Sequence, residues 1–254
     1  MSADRDPVTI DSAGAALSPV LESLDGAENY VGWICSMCQP WLGDHVLEVG
    51  AGTGTFTARW SQGRTVTALE PFEAAADRLR ERVAGHDNIT VVAGGIEDYK
   101  PAPLHGCAVL VNVLEHLPDD RAAVREICEL LEPAANIILY VPAYQWLMSD
   151  FDRSIGHFRR YTKRALRELA TATECEIADM RSVNFPGMFA WFLVARLGRK
   201  DPTSARFAAT YDRFFVPALR FIEPTPPAVR AIDLLRVDHL RRGQQTCSPI
   251  VVAE

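Results

Sequence analysis

The feature that most constrains this chain is the run Val46-Leu47-Glu48-Val49-Gly50-Ala51-Gly52-Thr53-Gly54-Thr55-Phe56. An apolar stretch the length of a buried strand ends in three alternating glycines, and a helical pattern follows. Glycine permits left-handed backbone and close approach of a ligand, and a helix that opens there presents unpaired N–H groups. A second apolar run ends in Ala68-Leu69-Glu70, which sets Glu70 twenty positions past Gly50. A carboxylate at that distance, on the tip of the next parallel strand, can accept the hydroxyls of a ribose. A nicotinamide fingerprint requires G-x-G-x-x-G, and Thr55 stands where its last glycine would be, so binding of NAD is the weaker reading. Turn and acid together predict recognition of an adenosine.

The rest of the chain repeats the same alternation. Short apolar runs predict strands at 45–49, 65–69, 89–92, 108–111, 136–141, 174–182 and 248–253. Apolar residues at helical spacing predict helices at 28–42, 54–61, 72–83, 121–131 and 163–171. This βαβ rhythm implies an α/β fold, a doubly wound, mostly parallel seven-stranded sheet with helices on both faces. The last strand has no helix of its own after it and is expected to insert antiparallel. An N-terminal helix precedes the sheet and a helical insert precedes the last strand. In domain terms, 1–25 reads as a flexible N-terminus and 26–254 as one domain, with a long loop at 143–162 and a proline-punctuated helical lid at 185–242.

With 48% hydrophobic residues, 254 residues can bury one substantial core. The net charge of -7 and the lack of a long basic run argue against nucleic acid as the main substrate. The first residues lack the basic start and apolar run of a signal peptide. Met188 to Leu197 is apolar but well short of the roughly 20 residues that span a bilayer. A cytoplasmic protein is expected, with a homodimer possible. The six cysteines should be reduced thiols packed as small hydrophobes. Cys35 and Cys38 have CxxC spacing, but on an apolar helix without a second pair, and no metal site is expected.

The stretches Glu48-Val-Gly50-Ala-Gly52-Thr-Gly54, Ala68-Leu-Glu70-Pro71, Gly94-Gly-Ile96-Glu97-Asp98 and Asn112-Val-Leu-Glu115-His116-Leu-Pro resemble, in order, the cofactor motifs of class I (Rossmann-like) S-adenosylmethionine-dependent methyltransferases. The resemblance implies S-adenosyl-L-methionine as cofactor and S-adenosyl-L-homocysteine as product. It implies that Gly50, Gly52 and Gly54 cradle the methionine part, that Glu48 orients the turn from beneath, and that Glu70, with Pro71 behind it, holds the ribose. Asn112 and Leu114 would line the far side. Such proteins often set an aspartate against the adenine amine after the third strand; Gly95 holds that place, leaving Ile96 to pack there and Glu97 or Asp98 as substitutes. Tyr30 and Trp33 resemble N-terminal residues that close over the cofactor, although an aromatic packing stripe explains them equally well. The stretches His157-Phe-Arg-Arg-Tyr-Thr162, Asn184-Phe-Pro-Gly-Met-Phe-Ala-Trp191 and Ser248-Pro-Ile-Val-Val resemble a bacterial small-molecule subfamily.

Ligands of an open α/β sheet gather beyond the carboxyl ends of the strands, so the loops after Val111 and Val141 should border the methyl acceptor. His116, His157 and Tyr161 are the candidate catalytic groups, a histidine being the side chain best poised as a general base near neutral pH. Tyr144, Trp146, Arg159 and Arg160 are candidate substrate contacts. The two arginines precede a helix N-terminus, where positive charge is disfavoured by about 0.3–1 kcal/mol, so an anion should compensate. That anion is either an internal acid, Asp150 or Asp152, or a group on the acceptor. The expected function is methyl transfer to an O, N or C atom of a small, anionic and partly hydrophobic metabolite such as a natural-product or isoprenoid-like precursor. A nucleic-acid or protein methyltransferase and a non-catalytic partner protein that only binds the cofactor are the alternatives.

Overall fold

The structure is a computed structural model that describes residues 21, 25–184, 209–218 and 250–253. Seven strands, β1 (His45–Val49), β2 (Thr65–Glu70), β3 (Ile89–Ala93), β4 (His105–Val111), β5 (Leu131–Tyr140), β6 (Ile177–Arg181) and β7 (Ile250–Ala253), form one sheet in the order β3-β2-β1-β4-β5-β7-β6. The helices are α1 (Glu28–Cys38), α2 (Thr57–Trp60), α3 (Glu73–Arg82), α4 (Asp120–Glu129), α5 (Asp150–Ser154) and α6 (Lys163–Ala172). The chain order reverses between β1 and β4, which pair in parallel with Val49 opposite Leu110, while Val49 also stands opposite Leu69 of β2. Gly50, Glu70 and Asn112 therefore leave the sheet along one edge, at the switch point where open sheets bind ligands.

Both faces of the sheet are covered, and the twofold period of β1 sends apolar residues to each of them. Leu47 and Val49 join the core under α4 and α6, with Leu69, Leu110, Val124, Ile127, Leu139, Leu166 and Leu169. Val46 points the other way, into a core with Trp33, Ile34, Trp60, Val66, Val109 and Ile138. Strands buried on both faces read as continuous apolar runs rather than alternating ones.

The boundaries differ from expectation where backbone conformation decides them. Gly54 has φ 82, which keeps it out of a helix, and α2 begins only at Thr57. Glu174 has φ 58 and ends the connection from α6, so β6 starts at Ile177 rather than at 174. β5 begins at Leu131, five residues earlier than its apolar core, with a register irregularity against β4 between His105 and Cys107. The expectation that the last strand inserts antiparallel is overturned: β7 pairs parallel with both β5 and β6. A parallel crossover needs a connection of a dozen residues or more, and the long stretch between β6 and β7 supplies far more than that. The expectation of six reduced thiols is corrected at Cys128, which is disulfide-bonded, whereas Cys35, Cys38, Cys107 and Cys175 are free.

Of the predicted lid at 185–242, only 209–218 falls within the described residues, and it is helical with a π-turn over Tyr211–Phe215. Its Asp212 does what no residue of α1 does for itself. Ala27 gives α1 no side-chain cap, and Asp212 accepts from the free backbone N–H groups of Asn29 (3.2 Å) and Tyr30 (2.7 Å). Among the described residues no helix is long and apolar enough to cross a membrane.

Candidate active site

The glycine turn is shaped by close approach. Gly50, Gly52 and Gly54 all have positive φ, at 68, 58 and 82. A Cβ on Gly50 would lie 2.6 Å from Val113 Cγ2, and one on Gly52 would lie 2.8 Å from Leu21 Cδ2. The first contact is the floor of the crevice, because it joins the loop after β1 to the loop after β4. The turn is anchored to β2 by the N–H groups of Gly50 and Ala51, both bonded to the Leu69 carbonyl at 2.9 Å.

Glu70 is buried, and its carboxylate accepts from the N–H of Gly52 (Oε2, 2.7 Å) and of Phe72 (Oε1, 2.9 Å). Burial raises its pKa while these two bonds oppose the shift. Each carboxylate oxygen keeps a further lone pair for a ribose hydroxyl. Glu48, also buried, accepts from Trp60 Nε1 at 3.0 Å, which ties the turn to α2 from below. Burial pushes its pKa up to about 7. Thr53 Oγ1, in the middle of the turn, is buried with no hydrogen-bond partner among the described residues. Three glycines without room for a Cβ, a buried acid and an orphaned hydroxyl fit the methionine and ribose parts of S-adenosylmethionine.

Other cofactor candidates take quieter places. Ile96 is buried in the core, whereas Glu97 and Asp98 are exposed, with the Glu97 carboxylate folded back over Gly95. Leu114 is fully buried, and Asn112, at φ 52, donates its N–H to the Tyr140 carbonyl at 2.8 Å. The Tyr30 hydroxyl meets that of Tyr140 at 2.8 Å, with the rings edge to face, and Trp33 is fully buried. Both aromatics pack α1 against the sheet side of the core. Asp25 clasps α3, pairing with Arg82 at 2.6 Å and accepting from Thr55 Oγ1 at 2.6 Å.

The loops after β4 and β5, expected to border the acceptor, are held by side chains. Ser149 and Asp152 form a reciprocal capping box at the start of α5. The fully buried Asp152 also accepts from Arg160 Nε (3.0 Å) and Nη2 (2.7 Å), and pairs with His157 Nδ1 at 3.1 Å. Burial alone would raise its pKa, but the bonds from His157 and Arg160 outweigh that and hold the carboxyl far below the usual range. Arg159 donates to the carbonyls of Leu117 (2.8 Å) and Pro118 (2.6 Å) and pairs with Asp120 at 3.2 Å. The compensating anions are thus internal acids, Asp152 for Arg160 and Asp120 for Arg159.

Tyr161 lies in the core and donates its hydroxyl to Asp120 at 3.0 Å, with burial holding its pKa far above the ordinary value. Tyr144 takes the backbone angles φ 60, ψ 96, and Trp146, 6.2 Å away between ring centres, is 56% exposed.

His116 and His157, 41 positions apart, meet edge to face with ring centres 4.5 Å apart. Burial, and then the neighbouring His157, lower the His116 pKa to about 4, so its imidazole is neutral near pH 7. Beneath them Glu115 is completely buried, and neither of its carboxylate oxygens has a hydrogen-bond partner among the described residues. Burial pushes it up to about 8. Sequence reasoning singled out both histidines and offered Asp152 as a partner of the arginines, but it did not single out Glu115. Glu115 stood in a quoted motif and Asp152 beside the arginines, yet only the fold shows that one is orphaned and the other is the hub.

Comparison with known proteins follows this geometry. Residues 17–179 match the family model described as a methyltransferase domain. The malonyl-[acyl-carrier protein] O-methyltransferase of Serratia marcescens is 26% identical over 204 residues, covering 73% of this chain and 77% of that protein. The ubiquinone biosynthesis O-methyltransferase of Vibrio campbellii is 30% identical over 128 residues, 48% of this chain and 47% of that relative, so the chain spans about half the length of such relatives. In fold, it resembles the crystal structure of a candidate sarcosine dimethylglycine methyltransferase from Galdieria sulphuraria, with TM-score 0.51, 16% identity and coverage of 76% and 79% of the two chains.

Proposed function

This chain belongs to the family of methyltransferase domains, the class I S-adenosylmethionine-dependent enzymes, and on that premise we propose that it methylates the oxygen atom of a hydroxyl group on a small metabolite. One observation carries the reading: a pair of histidines, one of them held neutral, stands over a buried acid at the loop that packs on the donor turn. Oxygen acceptors, unlike most amines, must lose a proton as they are methylated, and a site for such an acceptor needs groups that draw that proton off. Two relatives are named as O-methyltransferases, which points the same way.

S-adenosylmethionine, when bound, supplies a methyl group on a positively charged sulfur. Gly50, Gly52 and Gly54 hold its methionine end, and Glu70 holds its ribose. Glu48 keeps the turn in place through Trp60, and Val113 closes the crevice against Gly50. The protein's contribution to rate is orientation in a site with little water, together with removal of the acceptor proton at the His116–His157 side. An anionic acceptor loses its strongest support, because Arg159 and Arg160 meet protein acids and carbonyls. The exposed Trp146 and the strained Tyr144 support an aromatic or otherwise flat acceptor body.

The test is calorimetric titration with S-adenosylmethionine and S-adenosylhomocysteine, followed by a methyl-transfer screen of phenols, catechols and carboxylic acids. Micromolar cofactor binding that is lost in Glu70→Ala, with turnover lost in His116→Ala and His157→Ala while cofactor binding persists, is the expected outcome. Methylation confined to amines would overturn the oxygen acceptor, and normal turnover in both histidine variants would overturn the role of the pair.

A further inference from the structure

We propose that Glu115, His116 and His157 form a binding site for one divalent transition-metal ion of the zinc class. One ligand atom from each of the three lies within 4.8 Å of the other two. The histidines come from two loops, after β4 and after α5, so nothing in the spacing of the chain announces the group.

The argument rests on how the donors are oriented. His157 Nδ1 faces the Asp152 carboxylate at 3.1 Å. In the tautomer with its proton on Nδ1 a lone pair is left on Nε2, and Nε2 lies 3.8 Å from Glu115 Oε1. At this distance the two atoms are too far apart for a hydrogen bond to each other. They are, however, spaced for a common cation: bonds of about 2.0–2.1 Å in a tetrahedron put ligand atoms about 3.3 Å apart. His116 completes the set, its ring edge to face with that of His157.

Glu115 is the second, independent observation. It is fully buried, and neither oxygen has a hydrogen-bond partner among the described residues; to ionise there it needs a positive partner, and an ion between the three residues is such a partner. The outer layer is built as well. Asp152, which orients His157, is itself fixed by Arg160 and by Ser149. A carboxylate behind a ligating histidine sets its tautomer and sharpens its aim. Two imidazoles and one carboxylate suit zinc, iron(II), cobalt or manganese rather than magnesium or calcium, which take oxygen ligands. Three protein ligands leave a fourth position open, as in catalytic zinc sites.

For catalysis, this inference rests on the oxygen-acceptor reading given above and says how that acceptor is activated. A hydroxyl in the open position would release its proton to water near neutral pH, as metal-bound water does. Its oxygen would then form the new O–CH3 bond as the S–CH3 bond breaks, leaving neutral S-adenosylhomocysteine and one proton in solution.

The experiment uses full-length protein stripped with a chelator and titrated with zinc chloride, with cobalt chloride for its visible absorption and magnesium chloride as a control. One equivalent of zinc is expected at micromolar affinity or better, together with cobalt bands of a four-coordinate site and no uptake of magnesium. Affinity should fall at least 100-fold in Glu115→Gln and about 10–100-fold in Asp152→Asn. Binding of S-adenosylmethionine by each variant reports that it is folded. A protein that binds S-adenosylmethionine but takes up no zinc, or takes it up equally well as Glu115→Gln, overturns the metal site and leaves methyl transfer standing. A protein that takes up one zinc and binds no S-adenosylmethionine overturns the proposed function and leaves the metal site standing.

Discussion

The two sides of the crevice are built from different materials. On the donor side the chain presents backbone: three glycines at positive φ, N–H groups bonded to Leu69 and to Glu70, and one hydroxyl left free. On the acceptor side it presents charged side chains tied to one another, with Asp152 joining Ser149, His157 and Arg160. A backbone site holds its shape because the strands hold it. A side-chain site holds its shape only while every partner is in place, since each buried charge was brought out of water on the strength of the others. The donor side should therefore tolerate damage to stability and be sensitive in binding, and the acceptor side the reverse.

The largest effect that tests this contrast is expected from Asp152→Ala. It strands the Arg160 guanidinium and the His157 ring in the interior, at a cost of about 3–5 kcal/mol, and should lower the melting temperature by on the order of 10 °C. Calorimetry on the protein that remains folded should find S-adenosylmethionine affinity changed by less than about threefold, because Asp152 touches no part of the donor turn; a large loss would merge the two sides into one. In the wild type the depressed Asp152 value makes its contribution fully present above the ordinary carboxylate range and lost as pH falls below it, so acid should unfold the protein at a higher pH when Arg160 is replaced.

Glu70→Ala should act the other way. Removing the acceptor of the Gly52 and Phe72 N–H groups and the proposed ribose contact together is expected to weaken S-adenosylmethionine binding about 100-fold, roughly 3 kcal/mol, and more than it lowers stability. Glu48→Gln sharpens the comparison through pH. The folded carboxyl stays protonated up to about 7, while an unfolded glutamate ionises near 4.5. The folded state thus binds more protons in that window, and wild-type stability falls as pH rises through it. The glutamine variant does not titrate, so thermal unfolding at pH 5 and pH 8 should show it gaining about 2 kcal/mol on the wild type over that span. The smallest effect is expected from Arg82→Ala. The clasp to Asp25 is partly exposed on both sides, and its loss should cost under about 1 kcal/mol and be mimicked by high salt.

The same contrast governs what could be read from the chain alone. Backbone sites require glycines and a strand on each flank, all within about ten residues, and so Gly50 to Gly54 and then Glu70 were legible. Element types followed from periodicity, and β1 matches its expected bounds. Boundaries failed where one residue took a left-handed conformation, as at Gly54 and Glu174, because composition records no φ. The direction of β7 failed because a long connection allows either sense. On the acceptor side Arg159 and Arg160 were found by their awkward position beside a helix start, but whether an internal acid or a ligand answered them depended on which carboxylates the loop brings near. Glu115 was invisible as an orphan, since being without a partner is a property of its surroundings.

Asn112, at φ 52, and Tyr144, at φ 60 with ψ 96, stand just past the ends of β4 and β5 in conformations that side-chain-bearing residues avoid. Left-handed backbone at a residue other than glycine costs on the order of 1 kcal/mol or more at each position. A campaign to make this protein more heat-resistant would meet these two places early, since glycine there relieves the strain. Asn112→Gly and Tyr144→Gly are expected to raise the melting temperature and lower turnover, as they would if stiffness there aims the two proposed acceptor loops.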